Sequence, residues 1–182
     1  MDVVLITNVL AATVVAGTPL LLVALGELVC ERSGVLNLGQ EGMMLMGAVA
    51  AFAVTSLSGN PYLGIISGAI AGGITAGVFA VFALGLATNQ VATGLALTIF
   101  GAGLSGLIGA PYVGGTIEGL GVLVIPFLSE LPVFGSLFFK LDPLAYFSIL
   151  MLATVGVFLN NTRAGLILRA VGNNHDSAHA LG

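Results

Sequence analysis

The residues best placed to do chemistry crowd into one short stretch, Glu31–Ala48, which reads ERSGVLNLGQEGMMLMGA. Glu27, Glu31, Glu41, Arg32, Asn37 and Gln40 gather between two long apolar runs, punctuated by Gly34, Gly39, Gly42 and Gly47. Polar backbone and acids beside membrane-length segments are costly unless they face water or line a polar path. An uncompensated acid at a bilayer centre costs about 2.5–3.5 kcal/mol on insertion scales. Two readings of Asn37, Gln40 and Glu41 therefore stay open. They line a path for a polar solute, or they start a helix. Glu27, Glu31 and Arg32 sit nearer a membrane end, where an ordinary interfacial turn also accounts for them. Thr88-Asn89-Gln90 is a second abrupt polar patch, either a plain loop or the inner mouth of such a path.

Enzyme chemistry finds no support. The only lysine, Lys140, is flanked by Phe139 and Leu141, so the Gly-Lys-[Ser/Thr] of a phosphate-binding loop is absent. No catalytic residue is assigned. His175 and His179 stand at i, i+4, a spacing that shares a metal on one helix face. No third ligand lies nearby, so they read as a solvated surface helix, and no metal or other cofactor is expected. Cys30 is the single cysteine, which excludes an internal disulfide.

The elements that position these residues follow from composition. The 182 residues are 58% hydrophobic and 7% charged, with a mean hydropathy of +1.15. Soluble domains carry roughly 25% charged residues, so a polytopic membrane protein is implied. The formal charge of −4 leaves no basic footprint for nucleic acid. A transmembrane helix needs about 20 predominantly apolar residues, and five windows qualify: 3–25, 38–57, 62–86, 91–109 and 143–160. The expected fold class is all-α, a polytopic transmembrane bundle of about five spans in one membrane domain. The first window lacks a basic flank and reads as a retained span with a kink at Pro19. Gly119–Phe139 is broken by Pro126, Glu130 and Pro132, and reads as an outer loop dipping onto the membrane surface rather than a sixth span. Arg32, Arg163 and Arg169 follow spans one and five, so the positive-inside rule puts them in the cytoplasm and the N-terminus outside. Lys140, beside Asp142, is the exception. In the third window Gly68, Gly72, Ala76 and Ala80 recur every four residues, and Ala69, Gly73 and Gly77 do so one position along. Such stripes let helix backbones approach closely.

After span five come Arg163 and Arg169, with Gly165 and Gly172 supplying bends and Asn173 or Asn174 able to cap a short helix. A short capped helix there suits docking to a soluble partner.

Several of these stretches resemble one family. Glu31–Gly47 looks like the motif near the start of ABC-importer permease subunits, in the branch that handles nucleosides and simple sugars and is related to branched-chain amino acid permeases. Asn89–Leu97 resembles that family's next helix pair, Ile125–Gly135 its outer loop and Thr162–Asn173 its cytoplasmic loop. Asp176-Ser-Ala-x-x-x-Gly182 is similar to the coupling motif Glu-Ala-Ala-x-x-x-Gly, with two conservative departures. The resemblance implies a cell-membrane (inner or plasma membrane) multi-pass subunit, not itself an enzyme, that carries nucleosides or a related small polar solute. It also implies a second permease subunit, separate ATP-binding ABC subunits and an extracytoplasmic solute-binding protein as partners, besides the lipid bilayer. Coupling to the ATPase would fall on segment 161–182, through Arg163, Gly165, Arg169, Gly172, Asn174, Asp176, Ala178 and Gly182. Asn37, Gln40, Glu41, Asn89 and Gln90 would be the path candidates. Family members continue for several more spans, so the chain is expected to be a fragment or a truncated product. Outside the family, a stand-alone channel or secondary carrier needs no docking helix.

Overall fold

A computed structural model describes residues 3–124, 126 and 139–180. Among the described residues, five helices are long and apolar enough to cross a membrane. They are α1 (Val3–Arg32), α2 (Gln40–Ser58), α3 (Pro61–Ala80, continued by a π-wound turn, Val81–Gly85), α4 (Gln90–Gly109) and α5 (Pro143–Asn161). Two short helices follow, α6 (Arg163–Asn173) and α7 (His175–Ala180). The architecture is an all-α polytopic bundle. The described sheet is one two-residue ladder, β1 (Leu123–Val124) antiparallel to β2 (Lys140–Leu141). Large apolar side chains such as Leu20, Ile74, Ile99 and Leu107 are 65–74% exposed, an arrangement that suits lipid and not water.

The helix starts are written in short polar residues. Asn60, Asn89, Asp142 and Thr162 each accept a backbone N–H of the following first turn through the side chain, at 2.8–3.0 Å. Pro61 and Pro143 occupy the first helical position, where no amide partner is needed. Gly59 closes α2 in the left-handed conformation (φ +66°) and donates to Thr55 O. The helix α1 runs through Pro19 to Arg32, so Glu27, Cys30 and Glu31 lie on its last turns rather than in a gap between helices.

The chain forms two units, residues 1–34 with 120–182 and residues 35–119. In the first, α1 packs on α5 through Leu25, Val155 and Leu159, with Leu21, Phe158 and Leu168 around them. In the second, α2 packs antiparallel on α3. A Cβ at Gly68 would lie 2.9 Å from Gly47 O and 3.1 Å from Ala51 Cβ, and Gly64 abuts Thr55. Gly68 thus fills the role expected of its stripe, with Gly72 near Met43 O at 3.7 Å. The neighbouring stripe differs, since a methyl added at Gly73 or Gly77 would meet nothing within 4 Å. Phe79, Ala83 and Leu97 form the second unit's buried cluster, with Val35 and Met43 against it. Of the stretch Gly119–Phe139 expected as an outer loop, Ile125 and residues 127–138 lie outside the described residues.

Candidate functional site

Two groups of residues carry the polar chemistry, one in each unit. The second unit holds the loop Val35–Gly39 that leads into α2. Asn37 is buried at its centre. Its Oδ1 accepts from Gly39 N at 2.9 Å, and its amide N–H group reaches Met43 Sδ at 3.7 Å. From α4, Gln90 Oε1 accepts from Leu36 N at 2.8 Å, and Thr98 Oγ1 donates to Leu38 O at 2.8 Å. Non-helical backbone at membrane depth needs partners of this kind. Asn37 and Gln90 are brought to one loop, and each satisfies its backbone. The Asn89 side chain instead caps α4, accepting from Ala92 N at 3.0 Å. Gln40 opens α2, and Glu41 follows in its first turn with an exposed side chain.

Glycines hold this loop at backbone distance from α4. A Cβ at Gly94 would lie 2.8 Å from Leu38 N, and one at Gly101 would lie 2.6 Å from Gly42 Cα. Gly42 and Gly47 are thus contact points within an unbroken helix, not the breakable backbone that their sequence position suggests. Thr98, Gly94 and Gly101 escaped sequence reasoning. The seven-residue interval between the two glycines, about two helical turns, was the available signal.

The α3–α4 junction departs from α-helical winding. The π turn Val81–Gly85 is followed by Ala87 at φ +50°, an uncommon conformation for a residue with a Cβ. Thr88 restrains it, since its hydroxyl bonds Phe82 O and Thr93 Oγ1, each at 2.8 Å. Beside it an open cavity of about 490 Å³ is lined by Phe79, Phe82, Thr93, Ala96, Leu97 and Phe100. Its wall is apolar, so it offers a polar solute little beyond the Thr93 hydroxyl.

In the first unit, Thr162 caps α6 through Gly165 N at 3.0 Å and donates to Phe158 O at 2.6 Å. Gly165 is buried where α6 folds back, and a methyl there would run into Phe158 O and Leu159 Cα of α5. Gly172 does the same at the other end of α6, against Arg32 O and Gly34 N at the end of α1. Gly34 reciprocates at φ +82°, its Cβ position 3.1 Å from Gly172 Cα. The sequence suggests bends at Gly165 and Gly172, but both lie inside the continuous helix α6 and mark where it seats on a span. Asn174 then caps α7 through Ser177 N at 2.9 Å. Arg163 is exposed at the start of α6, and Arg169 is half-buried with Nη1 3.4 Å from Asn160 Oδ1. Asp176 is exposed and Ala178 half-buried on α7, whereas Gly182 lies outside the described residues. The rings of His175 and His179 stack with centroids 6.4 Å apart on the same helix. Among the described residues no cluster of three metal-ligating side chains occurs.

Residues 9–182 match the protein family described as branched-chain amino acid transport system / permease component. The chain is 41% identical over 179 residues to a putative glucose ABC transporter permease protein of Haloferax volcanii, covering 96% of this chain and 54% of that protein. It is 32% identical over 185 residues to a nucleoside ABC transporter permease protein of Lactococcus lactis, covering 96% and 58%. A guanosine ABC transporter permease protein of Bacillus subtilis is 31% identical over 197 residues, covering 100% of this chain and 61% of that protein. The chain therefore spans a little over half the length of these relatives. No solved structure matches it significantly.

Proposed function

The chain belongs to the permease-component family of branched-chain amino acid transport systems and is a multi-pass membrane protein of the plasma membrane, and from that premise we propose that it builds part of the solute path of an ABC importer. The solute in this reading is a small polar molecule carrying a sugar ring, a nucleoside first. Two relatives named for nucleoside or guanosine transport support that choice. A simple sugar is the second reading, favoured by the 41% identity to a relative named for glucose. The partners are an ATP-binding subunit on the inner face, a second permease subunit and an extracytoplasmic solute-binding protein. Hydrolysis of ATP belongs to the partner subunit.

The observation that carries the coupling role is the seating of α6. Two glycines hold it against α5 at Gly165 and against the end of α1 at Gly172, backbone on backbone. Close-packed backbone has no long side chain to absorb a displacement, so strain passes on. A push on α7, capped by Asn174 directly after α6, would reach both spans together. ATPase closure can drive the importer only if it favours one membrane conformation over the other, and α6 is the element suited to carry that preference. Asn37 and Gln90 act in this reading as supports of the loop Val35–Gly39, whose polar groups, with exposed Glu41, edge the path.

Uptake by the transporter assembled from this chain and its partners tests the reading. Labelled adenosine is expected to enter in a vanadate-sensitive manner, with excess adenosine competing better than excess glucose. Competition by glucose alone would move the assignment to the second reading. Uptake that ignores vanadate and collapses with an uncoupler would defeat both readings in favour of a carrier.

A further inference from the structure

The polar groove at the end of α1 shares Gly172 with the seat of α6, but that backbone contact leaves its arginine side chains unused. It has a volume of about 460 Å³ and is bounded by Glu31, Arg32, Leu166, Arg169, Gly172 and Asn173, all of them in the first unit. Two arginines face one carboxylate, a surplus of one positive charge. Arg169 Nε is shielded from solvent and has no acceptor among the described residues, and Nη1 reaches only a long contact, 3.4 Å, with Asn160 Oδ1. A shielded guanidinium N–H without an acceptor is unfavourable, and the planar fork of arginine matches an anion that offers two oxygens.

The depth of the groove narrows the choice of anion. The membrane-length helix α1 ends at Arg32, so the groove stands at the level of the lipid head groups. The helix α6 carries Leu166 and Ile167 half or more exposed beside its arginines. Apolar and cationic side chains side by side on a short helix at the end of two spans fit a position in the interface. Basic pockets between membrane helices at this depth take lipid phosphate. We propose that the groove binds the phosphodiester head group of an anionic phospholipid, with Arg169 and Arg32 holding phosphate oxygens and an acyl chain lying along Leu166. An acidic side chain of a protein partner would use the same arginines, but it would leave the apolar flank at Leu166 and Ile167 uncovered. Glu31 weakens the hold and keeps the lipid exchangeable. The proposal depends on neither the solute nor the direction of transport.

Native mass spectrometry of the purified chain, titrated with phosphatidylglycerol or phosphatidylcholine in detergent, tests it. One phosphatidylglycerol is expected to be retained per chain, in preference to phosphatidylcholine. Each of Arg32→Gln and Arg169→Gln is expected to lower that retention by roughly fivefold, the weight of one basic residue at an anionic surface. Glu31→Gln, which alters only an exposed side chain, is expected to raise it, and it keeps the test alive if an arginine variant loses helicity by circular dichroism. Excess inorganic phosphate is expected to leave the lipid in place. Equal retention of the two lipids, unchanged retention in Glu31→Gln, or displacement by phosphate would overturn the proposal. So would an ATPase subunit that displaces the lipid and binds less well to Arg169→Gln, because the groove would then belong to a protein contact.

Discussion

At the scale of single residues, the polar side chains that look like solute ligands in the sequence spend their hydrogen bonds on the chain itself. Asn37 is buried and accepts from Gly39 N, and Gln90 accepts from Leu36 N. Replacing Asn37 by Ala strands a buried N–H and is expected to cost about 1–3 kcal/mol, whereas Gln90→Ala loses one more accessible bond, about 0.5–1.5 kcal/mol. Hydrogen exchange at Leu36 and Gly39 measures both. Faster exchange is expected at Leu36 in Gln90→Ala, and at Gly39 in Asn37→Ala. Unchanged protection would mean that the loop is held by something else. Glu41 separates from this pair, because its carboxylate is exposed in the first turn of α2. Glu41→Ala is expected to leave exchange in the loop unaltered while lowering solute uptake. Uptake kinetics identical to the parent would return Glu41 to a helix-start role. The sequence marks Asn37 and Gln90 as path candidates because Asn37 interrupts an apolar run and Gln90 belongs to the abrupt polar patch Thr88-Asn89-Gln90. It could not find their partners, since Leu36 lies 54 residues from Gln90 and backbone amides carry no sequence label.

At the scale of elements, small residues decide which helix faces meet. The sequence displays two glycine–alanine stripes on α3 with nothing to rank them. Packing ranks them, because Gly64 and Gly68 meet α2, whereas Gly73 and Gly77 have open space. The deciding feature is the set of small residues across the interface, Gly47, Ala51 and Thr55, spaced four apart on an antiparallel helix. That match is a property of two segments and is invisible in either alone. Gly101→Ala puts a methyl 2.6 Å from Gly42 Cα, where neither backbone can yield, and is expected to cost about 1–3 kcal/mol as an overpacked site. Gly73→Ala meets nothing and is expected to be neutral or to gain up to about 1 kcal/mol from helix propensity. Thermal unfolding of both variants in detergent checks the contrast, and equal midpoints would remove the α2–α4 contact from the list of what holds this unit. The cap of α7 is a further element-scale device. The helix has six residues, too few to persist on propensity, so the Asn174 bond to Ser177 N matters in proportion. Asn174→Ala is expected to remove about 1 kcal/mol and to lower the solute carried per ATP hydrolysed. Asn174→Ser is expected to restore the ratio.

At the scale of the whole molecule, the five membrane-length helices were legible because a hydropathy pattern needs no tertiary knowledge. The boundaries were less so. The sequence suggests a first span ending near residue 25, yet α1 continues to Arg32, because the end of a span is written in lipid contacts and the end of a helix in backbone bonds. That extension has a consequence for orientation. Arg32 at the end of α1 and Arg169 on α6 line one groove, so the two share one membrane face, as the positive-inside rule requires of them. Lys140 on β2 precedes α5, a membrane-length helix, and Arg163 follows it. One crossing therefore separates the lone lysine from the arginines, and the rule puts the arginines inside. A cysteine at Ser177, which is exposed on α7, placed in a Cys30→Ser background, is expected to react with a membrane-impermeant maleimide only in inside-out vesicles. A cysteine at Lys140 is expected to react only from outside intact cells. Reversal of both would invert the subunit and put α7 out of reach of any cytoplasmic ATPase, leaving the helices intact while removing the basis for coupling through α6.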